Sequence, residues 1–496
     1  MKKTISEITA FLLLISTAIL AFDIQSAKAL EPPATQWSRT YGGTSNDGAS
    51  SMVLTGDGGY AIAGWTYSFG AGEGDFWLVK TDANGMEQWN QTYGGTGRDG
   101  AQSLVQTSDG GYAITGFTGS FGAGYARWDC YLVKTDPNGN MEWNKTYGGG
   151  NEDYGYSIIQ TSDGGYAIAG QTLSFGAGSS DGWLIKTCPD GTMDWIKTYG
   201  GAGWDGMFSL VQTSDGGYAM AGFTGTVLVE DFWVVKTDAN GIVQWDLTFG
   251  GAGRDILRSL AQTGDEGYVA VGYTSPFPPP GPFDACLVKI DANGIIQWSK
   301  TYGGENDEYA LSGVQSSDGG YAVAGIAGSP DAGTSDFWIF KTDADGSMQW
   351  IQTCGGADRD EAYSVVQADD GGYAIAGYTK SFGAGNFDIW LIKLAPEAIS
   401  WECIFEDTKR DTTLKISTDD KCFQFVASDK TFGVKHDSNM HVVQYPYFTC
   451  ITICFADGEI KLAAYALDGK FDCCIACAKN IHTGKTHLLI DTPGIE

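Results

Sequence analysis

Seven acidic residues recur along the chain at intervals of about 50 residues, and a serine follows each of them four residues later. The acids are Asp47, Asp99, Asp153, Asp205, Asp255, Glu308 and Asp360. If the segments that carry them line a closed ring, their carboxylates surround one mouth of a channel and attract a divalent cation such as Ca²⁺. The alternative is structural, because such an acid also caps a backbone turn or pairs with its own serine.

A ligand site must break the symmetry of a repeat, and the repeated units differ most in one loop. Four units carry Ser-Phe-Gly-Ala-Gly there, whereas the fourth to sixth units carry apolar or proline-rich loops at 226–230, 275–283 and 329–331. Loops on a rigid scaffold are where binding residues concentrate, although neutral drift of these loops is the alternative. The candidate ligand-binding residues are Val227, Leu228, Glu230, Phe277, Pro279, Phe283 and Asp331, with Arg127 and Trp128 from the second unit.

Cysteine and histidine concentrate in residues 396–496, which hold all four histidines and seven of the 11 cysteines. Disulfides suit an exported domain, whereas buried free thiols would act as small apolar side chains. A Cys/His metal site is the third interpretation, although no pair of Cys-x-x-Cys motifs with finger spacing occurs. The candidate disulfide or thiol residues are Cys450, Cys454, Cys473, Cys474 and Cys477.

Familiar catalytic arrangements are absent from the sequence, since it contains no GxSxG, HExxH, P-loop or EF-hand spacing. The repeat region also lacks histidine, the commonest general base. Carboxylates are abundant, so a carboxylate-dependent hydrolase or lyase stays open as an alternative, but no catalytic residue is predicted. The net charge of −30 disfavours nucleic acid and anionic membrane surfaces as partners.

The elements that position these residues belong to one repeat, which is clearest at 160–187 as QTSDGGYAIAGQTLSFGAGSSDGWLIKT. Its Asp-Gly-Gly and Pro-Asp-Gly turns separate short β-rich segments. In the third unit we predict strands a to d at 156–161, 166–172, 182–187 and 194–199. Strand b is apolar on both faces, whereas strand d alternates, as expected for an outer strand. Four strands in each of seven units predict an all-β fold, a seven-bladed β-propeller.

The two ends of the repeat region predict how the ring closes. A lone d strand occurs at 36–43, and a lone c strand occurs at 388–393. Pairing of these two segments would complete blade seven and remove an exposed sheet edge. Trp401 is a competing start for the missing d strand, but no Tyr-Gly-Gly follows it.

The repeat resembles Kelch-type propellers in its order of strands. It is more similar to the GGYAIAG…DxWLVKTDxxG…WxKTYGG repeats of secreted archaeal and bacterial surface proteins, over residues 36–394. It departs from Kelch repeats in its Gly-Gly pairs at the a–b turn and after strand d, so Kelch binding functions do not carry over. The resemblance implies export and a scaffold or binding role, and it implies no catalytic residues.

The N-terminus has the features of a secretory signal peptide, with two lysines, an apolar run at 8–22 and an Ala-Lys-Ala cleavage motif. We therefore expect a signal peptide at 1–29, a propeller at 30–395 and a small all-β domain at 396–496. An uncleaved anchor is the alternative to cleavage, although the apolar run is short for a bilayer span. Asn90 and Asn144 lie in N-glycosylation motifs, which suit an exported protein.

The sequence thus favours an exported, non-enzymatic binding or scaffold protein of the cell surface. Its expected ligand is a glycan or a surface protein on the loop face of blades four to six. A secreted carboxylate-dependent hydrolase or lyase acting on polysaccharide is one alternative. A structural component of the cell envelope is the other.

Overall fold

The computed structural model describes residues 31–397 except 123–126, 227–228, 276–280 and 329–333, together with the backbone of strands between Trp401 and Asp491. The first strand is β1 (Thr35–Tyr41). Blade one comprises β2 (Asp47–Leu54), β3 (Tyr60–Thr66), β4 (Asp75–Thr81) and β5 (Glu87–Tyr93). Blade two comprises β6 (Asp99–Gln106), β7 (Tyr112–Thr118), β8 (Asp129–Thr135) and β9 (Met141–Tyr147). Blade three comprises β10 (Asp153–Gln160), β11 (Tyr166–Thr172), β12 (Asp181–Thr187) and β13 (Met193–Tyr199).

The remaining blades repeat the same order of four strands. Blade four comprises β14 (Trp204–Gln212), β15 (Tyr218–Gly225), β16 (Glu230–Thr237) and β17 (Val243–Phe249). Blade five comprises β18 (Asp255–Gln262), β19 (Tyr268–Thr274), β20 (Asp284–Ile290) and β21 (Ile296–Tyr302). Blade six comprises β22 (Glu308–Gln315), β23 (Tyr321–Gly328), β24 (Ser335–Thr342) and β25 (Met348–Cys354). Blade seven comprises β26 (Asp360–Gln367), β27 (Tyr373–Thr379), β28 (Asp388–Leu394) and the N-terminal β1.

These strands form seven antiparallel four-stranded sheets, which confirms the predicted all-β seven-bladed propeller. The ring closes through β1, which pairs with β28 from Trp37 opposite Lys393 to Tyr41 opposite Ile389. This is the pairing expected from the lone d and c segments, whereas Trp401 pairs with a strand of the C-terminal region instead. Strand a of blade three begins at Asp153 rather than at the predicted residue 156, because the acidic residue itself pairs with Thr172.

The hydrophobic core lies between the blades. Strands b and c are buried almost throughout, whereas strand d alternates between exposed and partly buried residues. One core cluster joins Tyr60 and Trp77 of blade one to Leu391 of blade seven, and the other clusters likewise join neighbouring blades. A hydrogen bond adds to this packing, because Tyr41 Oη donates to the carbonyl oxygen of Gly85 at 2.6 Å. Each blade is therefore stabilised mainly by its two neighbours.

A buried lysine lies near the C-terminal end of each third strand. Lys80 Nζ lies 2.8 Å from Asp57 Oδ2 in the a–b turn and 2.7 Å from the carbonyl of Thr81. Burial opposes ionisation of Asp57, but hydrogen bonds from Lys80 and Thr55 outweigh it and lower the pKa of Asp57 to about 2. The equivalent lysines pair in the same way in the other six blades. The recurrent Lys–Asp pair is thus a structural element that satisfies a buried charge.

Each inner strand contains a β-bulge at the same position. In blade one the register shifts between Ala49 and Ser51, so Ser50 is the extra residue. The bulge residues are Ser50, Gln102, Tyr156, Phe208, Arg258, Leu311 and Tyr363. A bulge interrupts the regular alternation of side chains along a strand and changes the direction of one of them. Here it determines which side chains face the centre of the ring.

The C-terminal region forms two further antiparallel sheets. Its strands are β29 (Trp401–Asp407), β30 (Arg410–Asp419), β31 (Cys422–Ala427), β32 (Phe432–Val434), β33 (Met440–Gln444), β34 (Thr449–Cys454), β35 (Leu462–Ala466), β36 (Asp472–Lys479) and β37 (Thr486–Asp491). The sheet orders are β29-β30-β31-β34-β33 and β32-β35-β36-β37. The predicted signal peptide and the side chains of the five candidate cysteines lie outside the described residues. In the part of the chain that is described, no helix is long and apolar enough to cross a membrane.

Candidate functional site

The seven recurrent acids lie at or next to the start of the inner strands, and each is buried. Asp47 Oδ2 accepts hydrogen bonds from the backbone N–H of Gly43 at 2.8 Å and from Ser68 Oγ at 2.6 Å. Asp47 Oδ1 accepts a third from Thr66 Oγ1. The acid therefore caps the turn before its strand and ties it to the b–c loop, and its serine partner is Ser68 rather than Ser51.

The serines four residues after the acids connect neighbouring blades. Ser364 Oγ of blade seven accepts a hydrogen bond from the backbone N–H of Met52 in blade one at 3.1 Å. Serines 103, 157, 209, 259 and 312 accept equivalent bonds from the next blade. In the described ranges no three His, Cys, Asp or Glu side chains converge as a metal-binding group. The structure thus does not bring the acids predicted as metal ligands, Asp47, Asp99, Asp153, Asp205, Asp255, Glu308 and Asp360, into one site.

A second set of buried acids, at the start of the third strands, lies beside the first. Asp75 is 1% exposed, and its Oδ2 accepts the backbone N–H of Ala71 at 2.8 Å. Its Oδ1 has no hydrogen-bond partner among the described residues. Burial, opposed in part by the Ala71 N–H and reinforced by the Asp99 carboxylate, raises the pKa of Asp75 above its usual range. Asp75 therefore belongs to the framework of the blade, and its burial opposes ionisation.

We expect the Asp75→Asn variant to be more stable than the wild-type protein at pH 7. A carboxyl with a raised folded-state pKa contributes stability below its unfolded pKa of about 3.9, and it loses that contribution as the pH rises through its folded pKa. The substitution removes this loss, so the melting temperature should rise by about 2–4 °C for each kcal/mol regained. Thermal unfolding monitored by circular dichroism between pH 3 and pH 8 measures the effect.

The exposed Glu73→Gln variant, which removes the same charge two residues away, is the control. It should leave the pH dependence of the wild-type protein unchanged. Equal pH dependence in Asp75→Asn and the wild-type protein would show that ionisation of Asp75 does not lower the stability of the folded protein.

Blades four and five carry Thr226 and Pro276 at the position of the serine that caps the acid in blades one, two, three and seven. Asp205 and Asp255 each keep a threonine and a backbone donor. In blade six Ala327 replaces the threonine, and among the described residues Glu308 Oε2 accepts the N–H of Gly304 at 2.8 Å. The departure of these loops from the repeat therefore changes the hydrogen bonding at the mouth of the ring.

The candidate ligand-binding residues that the structure describes have different surroundings. Glu230 is buried and pairs with Arg254 Nε at 2.5 Å. Phe283 packs on Tyr309, with ring centroids 5.1 Å apart. Arg127 Nη1 donates to Asn151 at 2.7 Å, and Trp128 packs between other aromatic rings on the far side of the ring. The predicted residues Val227, Leu228, Phe277, Pro279 and Asp331 lie outside the described residues.

The seven bulge residues line the central channel together with the ring of serines. The channel cavity has a volume of about 370 Å³. Its serines repeat in every blade, whereas the bulge position changes from serine through glutamine, tyrosine, phenylalanine, arginine and leucine to tyrosine. Sequence reasoning missed this set, although its signal was present as the one variable position directly before an invariant serine.

A second cavity, of about 440 Å³, opens at the mouth of the ring between blades five, six and seven. Tyr273 and Tyr309 line one side of this mouth cavity, with their ring centroids 4.9 Å apart. Arg359 and Glu361 line the other side. Arg258 borders both the mouth cavity and the channel, so the two spaces share a wall.

The carboxylate of Glu361, in this wall, accepts hydrogen bonds from three neighbouring side chains. It is 2% exposed and accepts hydrogen bonds from Arg359 Nε, from Tyr363 Oη at 2.8 Å and from Tyr378 Oη. Burial and the Glu361 carboxylate raise the pKa of Tyr363, so its phenol stays protonated at neutral pH. The network fixes the Glu361 side of the cavity and does not include Arg258.

The predicted glycosylation sites lie on outer strands away from both cavities. Asn90 of β5 and Asn144 of β9 are exposed, as an acceptor site requires. Asn90 Nδ2 donates to Glu87 at 2.7 Å, and its Oδ1 accepts from Trp77 Nε1 at 3.2 Å. A glycan on either residue would leave the mouth of the ring open.

No protein-family model matches this chain. Regulatory protein FlaEY of Caulobacter vibrioides is 30% identical over 114 residues, which cover 20% of this chain and 12% of that protein. Among solved structures, the Pan2 WD40 domain of Neurospora crassa has a TM-score of 0.46 at 12% identity and covers 74% of this chain and 95% of its own. Polysaccharide lyase Uly1 has a TM-score of 0.43 at 10% identity, over 76% of this chain and 94% of its own. At these identities the structural likeness concerns the fold alone.

Proposed function

We propose that this chain is an exported, non-enzymatic binding protein of the cell surface, and that its ligand is a glycan held in the mouth cavity. The main observation behind this proposal is the position of the cavity between blades five, six and seven. In blades five and six the sequence of the b–c loop differs from that of the repeat. Ligand sites favour concave surfaces with aromatic walls and a few convergent polar groups. A segment of a surface protein is the alternative occupant.

Aromatic packing at the cavity supports a sugar ligand. Tyr273, Tyr309 and Phe283 form one cluster, with ring centroids 4.9–5.5 Å apart. Their rings offer apolar faces while the tyrosines also offer hydroxyl groups, a combination that suits the two faces of a sugar ring. The cluster includes the predicted loop residue Phe283, which supports a binding surface on the loop face.

The environment of Glu308 supports a second candidate function, that of a secreted carboxylate-dependent hydrolase or lyase. Burial raises the pKa of Glu308, the Gly304 N–H opposes the shift, and Asp284 and Asp307 reinforce it. A carboxyl with a raised pKa is the usual general acid of glycoside hydrolysis. If the wild-type protein cleaves any polysaccharide of a test panel and Glu308→Gln does not, the enzymatic function replaces the binding function.

We expect Tyr309→Ala to weaken glycan binding by at least about tenfold, because it removes a ring from the wall of the cavity. Tyr154→Ala is the matched control, since Tyr154 holds the same position in blade three and packs in an aromatic cluster of its own. A glycan array identifies the sugar, and calorimetric titration of both variants then measures the affinities.

Equal losses in Tyr309→Ala and Tyr154→Ala would indicate general destabilisation and would contradict the assignment of the cavity. Failure of the wild-type protein to bind any glycan, with capture of a surface protein instead, would favour the protein ligand. Self-assembly that rises with concentration, without any ligand, would favour the structural envelope component. Export itself is tested by N-terminal sequencing of the mature protein, which should begin near Leu30.

A further inference from the structure

The guanidinium of Arg258 forms no ion pair with the carboxylates that the structure describes. Arg258 is the bulge residue of blade five, and it is partly buried at the boundary between the channel and the mouth cavity. Its guanidinium carbon lies 4.1 Å from the centroid of the Phe208 ring. Within the described residues no carboxylate or other acceptor is recorded within bonding distance of this guanidinium.

Arg258 differs in this respect from the seven buried lysines and from two arginines at the mouth of the ring. The seven buried lysines each pair with an aspartate, Arg254 pairs with Glu230, and Arg359 pairs with Glu361. The carboxylates of Asp307 and Glu361 line the same mouth cavity, but neither forms an ion pair with Arg258, and Glu361 is paired with Arg359. Removing a charge from water without a partner is unfavourable, so a partly buried, unpaired guanidinium favours a ligand that supplies the missing anion.

The side chains around Arg258 indicate which class of molecule carries that anion. Tyr156, Phe208 and Tyr363 are neighbouring bulge residues that present aromatic rings. The channel serines present hydroxyl groups between them. Aromatic faces, hydroxyls and one guanidinium together match a sugar ring that carries a carboxylate.

We propose that Arg258 binds the carboxylate of an acidic sugar, a uronic acid residue of a glycan that extends from the mouth cavity into the channel. This inference rests on the proposed glycan-binding function and names its ligand class. A monoanionic carboxylate fits better than a dianionic phosphate, because the channel offers one cation and the net charge of the chain repels anions. Recognition must then come from short-range contacts rather than from long-range attraction.

The test is calorimetric titration of the full chain with trigalacturonate and with its fully methyl-esterified form, which has the same shape without the charge. We expect the acid to bind the wild-type protein at least about tenfold more tightly than the ester. Arg258→Gln should lose this preference, and Arg258→Lys should retain part of it. Arg39→Gln is the control, because Arg39 also lies over an aromatic ring, that of Trp37, but on an outer strand.

The outcomes separate this inference from the function on which it rests. Equal binding of acid and ester, with no effect of Arg258→Gln, would overturn the role of Arg258 and leave glycan binding intact. Absence of binding to trigalacturonate, with binding of neutral glycans, would overturn the uronic acid class. Binding of a tripeptide with a free C-terminal carboxylate in place of either sugar would overturn both proposals. Circular dichroism at the titration temperature verifies that each variant is folded.

Discussion

A chain that lacks residues 35–43 should melt at least about 10 °C below the intact protein, because it loses the strand that closes the ring. The deletion leaves β28 as an unpaired edge, although all seven of its residues are buried in the intact protein. It also removes Tyr41, whose side chain packs between blades one and seven and donates to Gly85. An exposed, apolar edge strand additionally promotes aggregation.

Deletion of residues 31–34 is the matched control, since that segment precedes β1 and contributes one backbone hydrogen bond, from Ala395 N–H to the carbonyl of Ala34. It should change the melting temperature by no more than a few degrees. Addition of a synthetic peptide spanning residues 35–43 should restore part of the lost stability in trans. An unchanged melting temperature after deletion of 35–43 would show that the ring does not depend on closure by β1.

The second large effect is expected at the glycine of strand b. We expect Gly222→Ala to destabilise blade four by about 3 kcal/mol, at the upper end of the range for overpacking. A Cβ at this position would lie 1.9 Å from the carbonyl oxygen of Gly206 and 2.9 Å from the Cα of Met207, and neither backbone atom can move aside. The bulge of the inner strand creates this close approach, because it displaces the backbone toward strand b. Chemical denaturation gives the change in the free energy of unfolding.

Gly201→Ala is the control for this prediction. Gly201 lies just before the same blade, and a Cβ there would meet no atom within 4 Å. Its backbone N–H, which donates to Asp205, remains available in the variant. A loss of stability in Gly201→Ala equal to that in Gly222→Ala would contradict a steric origin of the effect.

The candidate site was predicted from the sequence only in part. Gly328 and Thr334, on either side of the divergent loop of blade six, line the mouth cavity, whereas a ligand on the loops themselves stays a prediction. For the seven acids the sequence left a metal site and a turn cap open, because regular spacing does not distinguish a ligand from a turn cap. Thr66, Ser68 and the N–H of Gly43 satisfy Asp47, and two of these three donors come from another part of the blade.

The bulge residues illustrate why the remainder of the site was not predicted. In a regular strand, side chains alternate between the two faces, so the residue before an inward serine would point away from it. The register shift between Leu257 and Ser259 lets Arg258 line the same channel as the serine. Strand alternation read from the sequence therefore assigns Arg258 to the wrong face.

The sequence by itself determined the all-β class, the number of blades and the pairing of β1 with β28, the last strand of the propeller. These features follow from local patterns, since turn glycines, strand alternation and the count of repeats are all read along the chain. Only the tertiary structure decided which acids are caps, which blades share the mouth cavity and which side chains enter the channel. Those features depend on contacts between residues about 20 to more than 300 positions apart, and on bulges that a periodic pattern does not encode.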